Sequence, residues 1–331
     1  MNALESNLYG ITLKNPIVVG ACSLTARPAK VRELEAAGAA AIIIKSLFEE
    51  EIQMERFQMD ELLSRYDNKH AEHITQHPHI KHADDREHAL MVSNVKESVS
   101  IPVIASINAV TPDGWVHFAK DLASTGVDGL ELNFYSLPIK ESITAKDIER
   151  NQLEALKAVK EAVSIPVGVK ISPYYTHLTS FVKELAEHGA DGITMFNRFF
   201  QPDLDIMSET ESVTFSFSQT GDNLLPLRWT ALLSDRVSCP LTLSNGVLEY
   251  DDVIKALLSG ATSVQVVSTL YKNGIPQIGE LIEGLEKWMS LKEYEKISDF
   301  RGKTSKDKQI DPWAFERVQY ISMLLKKGAS F

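Results

Sequence analysis

A short phrase recurs along the chain: a glycine-centred helix stop, a brief apolar run, and a polar residue where the run ends. Gly126-Val127-Asp128-Gly129 precedes Leu130 to Phe134, and Gly38-Ala39-Ala40 precedes Ile42-Ile43-Ile44-Lys45. Gly189-Ala190-Asp191-Gly192 precedes Ile193 to Asn197, and Gly260-Ala261-Thr262 precedes Val264 to Val267. Glycine has the φ freedom needed just past a helix C-terminus, and each apolar run is only long enough to cross one core. A second phrase, Val99-Ser100-Ile101-Pro102-Val103, returns letter for letter at Val163 to Val167 and loosely as Val237-Ser238-Cys239-Pro240-Leu241. Each copy opens another apolar run, so two kinds of strand entry alternate with helices.

Taken in order, the pattern predicts strands at Ile17–Ala21, Ile42–Lys45, Pro102–Ile107, Gly129–Phe134, Pro166–Ile171, Gly192–Phe196, Leu241–Leu243 and Ser263–Val267. Helices are expected between them, near Pro28–Ala37, Asp85–Ser98, Asp113–Thr125, Lys146–Ala162, His177–His188, Leu227–Arg236, Tyr250–Ser259 and Pro276–Met289. Eight buried strands alternating with helices point to a (β/α)8 TIM barrel, because right-handed crossovers and parallel pairing close such a set; a doubly wound sheet is the alternative. No linker divides the chain, so residues 1–331 are expected to form a single domain. Short N-terminal strands and a helical tail from about 291 to 331, with an amphipathic run from Pro312 to Lys326, are expected to cap the barrel bottom or make a dimer contact. Two excursions break the rhythm, one at 47–85 and one at Arg198–Asp222; long irregular segments of this kind are lids, binding loops or disordered stretches.

Composition narrows the functions available. With 331 residues, 44% of them hydrophobic, the chain can bury a large core, and a net charge of -11 provides no field to attract a phosphate backbone. No stretch approaches the roughly 20 apolar residues of a membrane helix. Nucleic acid and membrane are therefore not expected as partners. Met1 to Ser6 has neither a charged nor an apolar signal region, and Cys22 and Cys239 are the only cysteines. A reducing, cytoplasmic protein without disulfides is expected.

In a barrel, function sits where strands end and the following loops begin. The polar and small residues at those ends are Gly20-Ala21, Lys45-Ser46, Ser106, Asn108, Asn133, Ser136, Lys170, Ser172, Asn197, Ser244-Asn245-Gly246 and Ser268-Thr269. Any one alone reads equally well as a cap or turn residue. Together they suit a planar, polar, phosphorylated ligand, with the phosphate expected at the loops after the seventh and eighth strands.

Gly168-Val169-Lys170-Ile171-Ser172-Pro173-Tyr174-Tyr175 resembles the lysine-bearing strand of dihydroorotate dehydrogenases. Leu257 to Val266 and Ile297-Ser298-Asp299-Phe300-Arg301-Gly302-Lys303 resemble the same family's C-terminal signature, and the similarity runs from about Leu8 to Lys303, including Lys45-Ser46. The resemblance implies FMN, with its phosphate on Gly246, Ser268 and Thr269 and its ring against Gly20, Ala21, Lys45 and Lys170. Ser46, Asn108, Asn133, Ser244 and Asn245 complete the cofactor residues it implies, and Lys45, Asn133 and Asn197 would hold the substrate. Without a long membrane-associating N-terminal extension, the chain is more similar to the soluble class than to the quinone-linked one. A homodimer acting on a small molecule in pyrimidine metabolism is the implied setting.

The sequence also departs from the family. After the fourth strand the family usually reads Asn-Leu-Ser-Cys-Pro-Asn, with Cys as base in the soluble class and Ser in the membrane class. This chain reads Asn133-Phe134-Tyr135-Ser136-Leu137-Pro138, which keeps Asn133, puts Ser136 at the base position, and lacks an orotate-binding amide. The family's substrate loop is replaced by a histidine-rich stretch containing His70, His73, His77, His79, His82 and His88, which matches no compact zinc motif; no metal is expected, and a lid or a solvated loop are the readings open. Cys22 aligns with a small residue beneath the flavin, which suggests close packing rather than nucleophilic chemistry.

The resemblance implies oxidation of a C–C single bond next to a carbonyl, as in dihydroorotate to orotate. Ser136 would remove the proton, and Lys170 would stabilise charge on the reduced flavin. Serine is a poor base alone and would need a relay. Two other readings stay open: a cofactor-free lyase or aldolase in which Lys170 forms a Schiff base, and a flavin-binding protein without turnover.

Overall fold

The computed structural model describes residues 3–54, 83–137, 139–199, 201–212, 216–311 and 313–327. It opens with an antiparallel hairpin of β1 (Ser6–Leu8) and β2 (Ile11–Leu13), followed by β3 (Ile17–Val19), β4 (Ala41–Ile43), β5 (Leu47–Phe48), β6 (Val103–Asn108), β7 (Gly129–Asn133), β8 (Val167–Ile171) and β9 (Gly192–Met195). An exposed hairpin of β10 (Asp203–Asp205) and β11 (Thr210–Ser212) precedes β12 (Leu241–Ser244) and β13 (Ser263–Val266). β3, β4, β6, β7, β8, β9, β12 and β13 pair in parallel with successive neighbours, and β13 pairs back onto β3. Eight parallel strands thus close into a barrel with helices between them, the (β/α)8 arrangement; closure rules out the open doubly wound sheet.

The two recurring phrases have a shared physical basis. Asp128 Oδ2 accepts from the backbone N–H of Val103, the first residue after the Pro of the preceding strand entry, at 2.7 Å, and from Lys96 Nζ at 2.6 Å. Asp191 repeats the arrangement two strands later, accepting from Val167 N at 2.6 Å and Lys160 Nζ at 2.5 Å. Each aspartate therefore ties its own strand to the start of the previous strand and to the end of the helix that leads into that previous strand. The third copy has Thr262, whose N–H donates to Leu241 O at 2.8 Å. Gly126 and Gly189, with φ of 82 and 92, turn the chain out of the helices that lead to these clamps.

The barrel floor is closed by the first hairpin. Tyr9 sits at its turn with φ 53 and is fully buried, its ring packed among Val18, Ala41, Ile43 and Ile104. Gly168 and Gly192 leave the space for it: a Cβ at Gly192 would lie 2.6 Å from Tyr9 Cδ1, and one at Gly168 would enter the ring. The short N-terminal strands thus cap the bottom, as expected. The first part of the tail lies at the same end. Gly302 N and Thr304 N donate to Leu257 O and Leu258 O, each at 2.9 Å, and Ile297 N donates to Ala3 O at 3.0 Å, so the segment follows the end of helix Tyr250–Ser259.

Two local features differ from the reading of the sequence. The second barrel strand breaks at Lys45-Ser46, where the buried Ser46 and Ser106 hydroxyls bond each other at 2.7 Å, and then resumes as β5 against the end of β6. The 198–222 excursion contains the β10–β11 hairpin instead of being irregular throughout. The first excursion begins with β5 and continues as a helix over 49–54, and His70, His73, His77, His79 and His82 lie outside the described residues.

Candidate active site

At the C-terminal mouth of the barrel is a cavity of about 450 Å³. Ala21, Lys45, Ser46, Asn133, Lys170 and Asn197, drawn from five different strand ends, all line it. Asn197 Nδ2 donates to Asn133 Oδ1, joining the two amides expected to meet substrate. Lys45 Nζ pairs with Glu51 at 3.0 Å, while Arg198, also on the wall, donates to Ser216 O at 2.8 Å. Two lysines and an arginine therefore surround one opening.

Below the mouth lies a buried polar chain. Lys170 Nζ donates to Gln265 Oε1 at 2.9 Å, and this fixes the amide so that Gln265 Nε2 donates to Glu131 Oε2 at 2.7 Å. Glu131 Oε2 also accepts from the Tyr9 hydroxyl at 2.7 Å. Burial, then the adjacent Glu131 charge, push the Tyr9 phenol well above its ordinary value, so it remains a proton donor. The other oxygen, Glu131 Oε1, is buried without a hydrogen-bond partner among the described residues, and Glu131 lines the cavity. An acceptor left open there suits a ligand that carries an N–H or O–H.

Other expected residues stand outside this cavity. Gly20 backs onto it from below: a Cβ there would approach Val267 Cγ2 at 2.9 Å and Gln265 Oε1 at 3.3 Å. Asn108 is buried at the end of β6, paired with Phe48. Ser244 is buried at the end of β12, and Asn245 and Gly246 follow with φ of 82 and 67. Gly246 cannot carry a side chain, because a Cβ would meet the Asn223 backbone. Ser268 and Thr269 begin helix Ser268–Asn273, and their hydroxyls are engaged locally: Ser268 Oγ accepts from Ser218 N at 3.0 Å and Thr269 Oγ1 donates to Leu248 O at 2.9 Å. The latter bond joins the two phosphate loops of the sequence reading, leaving the amides of Ser268 and Thr269 as the groups without an intrahelical partner.

Ser136 is exposed and lines two neighbouring cavities instead of the one holding Lys45 and Lys170; the adjacent Tyr135 does line that one. Cys22 is partly buried, and burial raises its thiol above the ordinary value, so it is not a thiolate nucleophile. Glu131, Arg198 and Phe199 are wall residues that the sequence reading did not single out. Glu131 was within reach of strand periodicity, since it lies two residues before Asn133 on the same face of β7.

The comparisons agree with this geometry. The family model described as dihydroorotate dehydrogenase matches residues 3–289. The chain is similar to the catalytic subunit of dihydroorotate dehydrogenase B (NAD(+)) from Pyrococcus abyssi, with 25% identity over 305 residues, 90% of this chain and 98% of that protein. The corresponding subunit of Pyrococcus furiosus is 24% identical over 323 residues, 92% of this chain and 99% of that protein. Dihydroorotate dehydrogenase A (fumarate) of Lacticaseibacillus paracasei is 32% identical over 200 residues, 58% of this chain and 68% of that protein. Among the described residues no helix is long and apolar enough to cross a membrane. The match over most of its length places this chain in the dihydroorotate dehydrogenase family, as an oxidoreductase of the dihydroorotate dehydrogenase kind.

Proposed function

We propose that the chain, working as one domain, binds FMN and oxidises a cyclic dihydropyrimidine, dihydroorotate or a relative, at the C–C bond beside a carbonyl. The observation that carries this reading is the convergence of Lys45, Asn133, Lys170 and Asn197 on one cavity above a buried, open carboxylate oxygen. FMN suits the residues present. Three cations line the mouth, Gly20 and Gly246 let the backbone pass close to Gln265 and to the Asn223 backbone, and Gly246, Ser268 and Thr269 lie on the linked loops that would hold the phosphate. When bound, FMN supplies the hydride acceptor.

In this mechanism Asn133, Asn197 and Lys45 hold the substrate's carbonyl groups. Lys170, kept in place by Gln265, presents its ammonium group where negative charge grows. Ser136, on the loop beside the mouth, would accept the proton from the carbon next to the carbonyl and pass it to water when that carbon is held at the border with the chambers Ser136 lines; loss of that proton, and of a hydride from the neighbouring carbon, leaves a C=C bond.

Dialysis of the protein against FMN tests the first step, with about one flavin per chain expected to remain after gel filtration. A colourless protein that takes up none contradicts it. In the loaded protein, Ser136→Ala should keep the flavin and slow its reduction by substrate roughly 10²–10⁴-fold, the usual loss for a general base. Reduction at the wild-type rate would place the base elsewhere.

A further inference from the structure

Beside the candidate active site lies a second cavity, of about 550 Å³, within the size range of small-molecule sites. Phe199 and Gln201 form walls of both, so the two chambers adjoin. Three rings bridge them: Tyr135 meets Phe199 edge-on at 4.4 Å between centroids, and Tyr174 meets the same ring at 5.3 Å. The far wall is held firmly, because Tyr175 stacks on Phe181 at 4.3 Å and donates its hydroxyl to Gln152 Oε1 at 2.9 Å.

The chemistry of the side chamber is the opposite of the first. No lysine or arginine lies among its described lining residues, and its one charged group is the Glu149 carboxylate. An anionic group would enter against that charge without any cation to pair it. Leu137 and Tyr174, on its rim, are 73% and 67% exposed, large apolar groups left in water beside a catalytic-face opening. Leu137 and Pro138 stand where the family's usual pattern has a proline and its orotate-binding amide, so this stretch lacks that polar group and carries an exposed aliphatic side chain at 137.

We infer that this chamber takes a neutral, aromatic arm of the substrate, while the ring being oxidised lies in the chamber of Lys45 and Lys170. The inference rests on the proposed oxidation and adds the substrate class: a dihydropyrimidine carrying an aryl group where dihydroorotate carries its carboxylate. Phe199 supports both parts, and Leu137 and Tyr174 cover the arm.

The test is calorimetric titration of the FMN-loaded protein with 5,6-dihydrouracil, dihydroorotate and 6-phenyl-5,6-dihydrouracil, with anaerobic flavin bleaching followed in parallel. The phenyl compound should bind about tenfold or more tightly than either of the others, the size of gain that burying an apolar ring brings. Leu137→Asp and Tyr174→Ala, both at exposed positions that leave the core intact, should each remove most of that gain while dihydrouracil affinity stays within about twofold. Equal affinities, tighter binding of dihydroorotate, a gain that survives both substitutions, or binding of none of the three would overturn the inference. Bleaching by dihydroorotate without a phenyl preference would leave the oxidation standing and remove the side chamber. A phenyl preference lost in the variants, with no bleaching by any compound, would keep the chamber and remove the oxidation.

Discussion

Lys170 shows how one residue's surroundings set its role. Its ammonium group is anchored to Gln265, which is anchored in turn to Glu131, so the charge sits at a defined place at the mouth. Lys170→Ala should slow flavin reduction more than Lys170→Arg, by about 10²-fold or more for alanine, because the arginine keeps a cation there; equal rates in all three proteins would remove Lys170 from the mechanism. His88 offers a different test. Burial, then the nearby Lys45 charge, hold its imidazole down at about 4, with the Glu51 carboxylate opposing. An unfolded histidine binds its proton near 6.5, so on acidification the unfolded chain takes up a proton that the folded one refuses. Stability due to neutral His88 is therefore complete above about 6.5 and falls as the pH drops towards about 4, by up to about 3 kcal/mol. Urea denaturation across this range should show a shallower acid limb in His88→Leu than in the wild type; superimposable limbs would contradict the assignment.

At the scale of elements, the repeated aspartate clamp explains why the same short phrases recur. Asp191→Ala leaves the Val167 amide and Lys160 without their acceptor and should cost about 1–3 kcal/mol, whereas Asp191→Asn keeps an acceptor and should cost less. Thermal unfolding of the pair checks this, and equal losses would mean that charge, not hydrogen bonding, matters. The clamp also accounts for what the sequence revealed. Each strand entry carries its own glycine, proline or aspartate punctuation, so the eight barrel strands stand out even where they span only three to five residues. β5 and the β10–β11 hairpin stayed hidden, because two- and three-residue strands among polar residues carry too short a period to register. The plug at Tyr9 is invisible in one dimension. Its partners, Gly168, Gly192, Glu131 and Thr194, come from three later strands, and only closure of the barrel brings them together.

For the whole molecule, the barrel turns a scattered set of strand-end residues into one mouth. Lys45, Asn133, Lys170 and Asn197 were legible because each is a polar residue closing an apolar run, and the fold places all four on one cavity. Ser136 was assigned by resemblance alone, and its loop turns it towards neighbouring chambers, because Tyr135, gripped by Phe199, takes the position facing the lysines. The apolar side chamber was not legible, since Ile148, Tyr174 and Phe199 come from three separate loops and helices with no shared motif. The central claim, that this mouth holds a flavin and oxidises a cyclic dihydropyrimidine, is tested most directly by mixing the FMN-loaded protein with dihydroorotate and related dihydropyrimidines under nitrogen and following the flavin absorbance. Bleaching by at least one of them, with formation of the matching unsaturated ring, is the predicted result. A flavin that stays oxidised with every such compound, yet is bleached at once by dithionite, would contradict it.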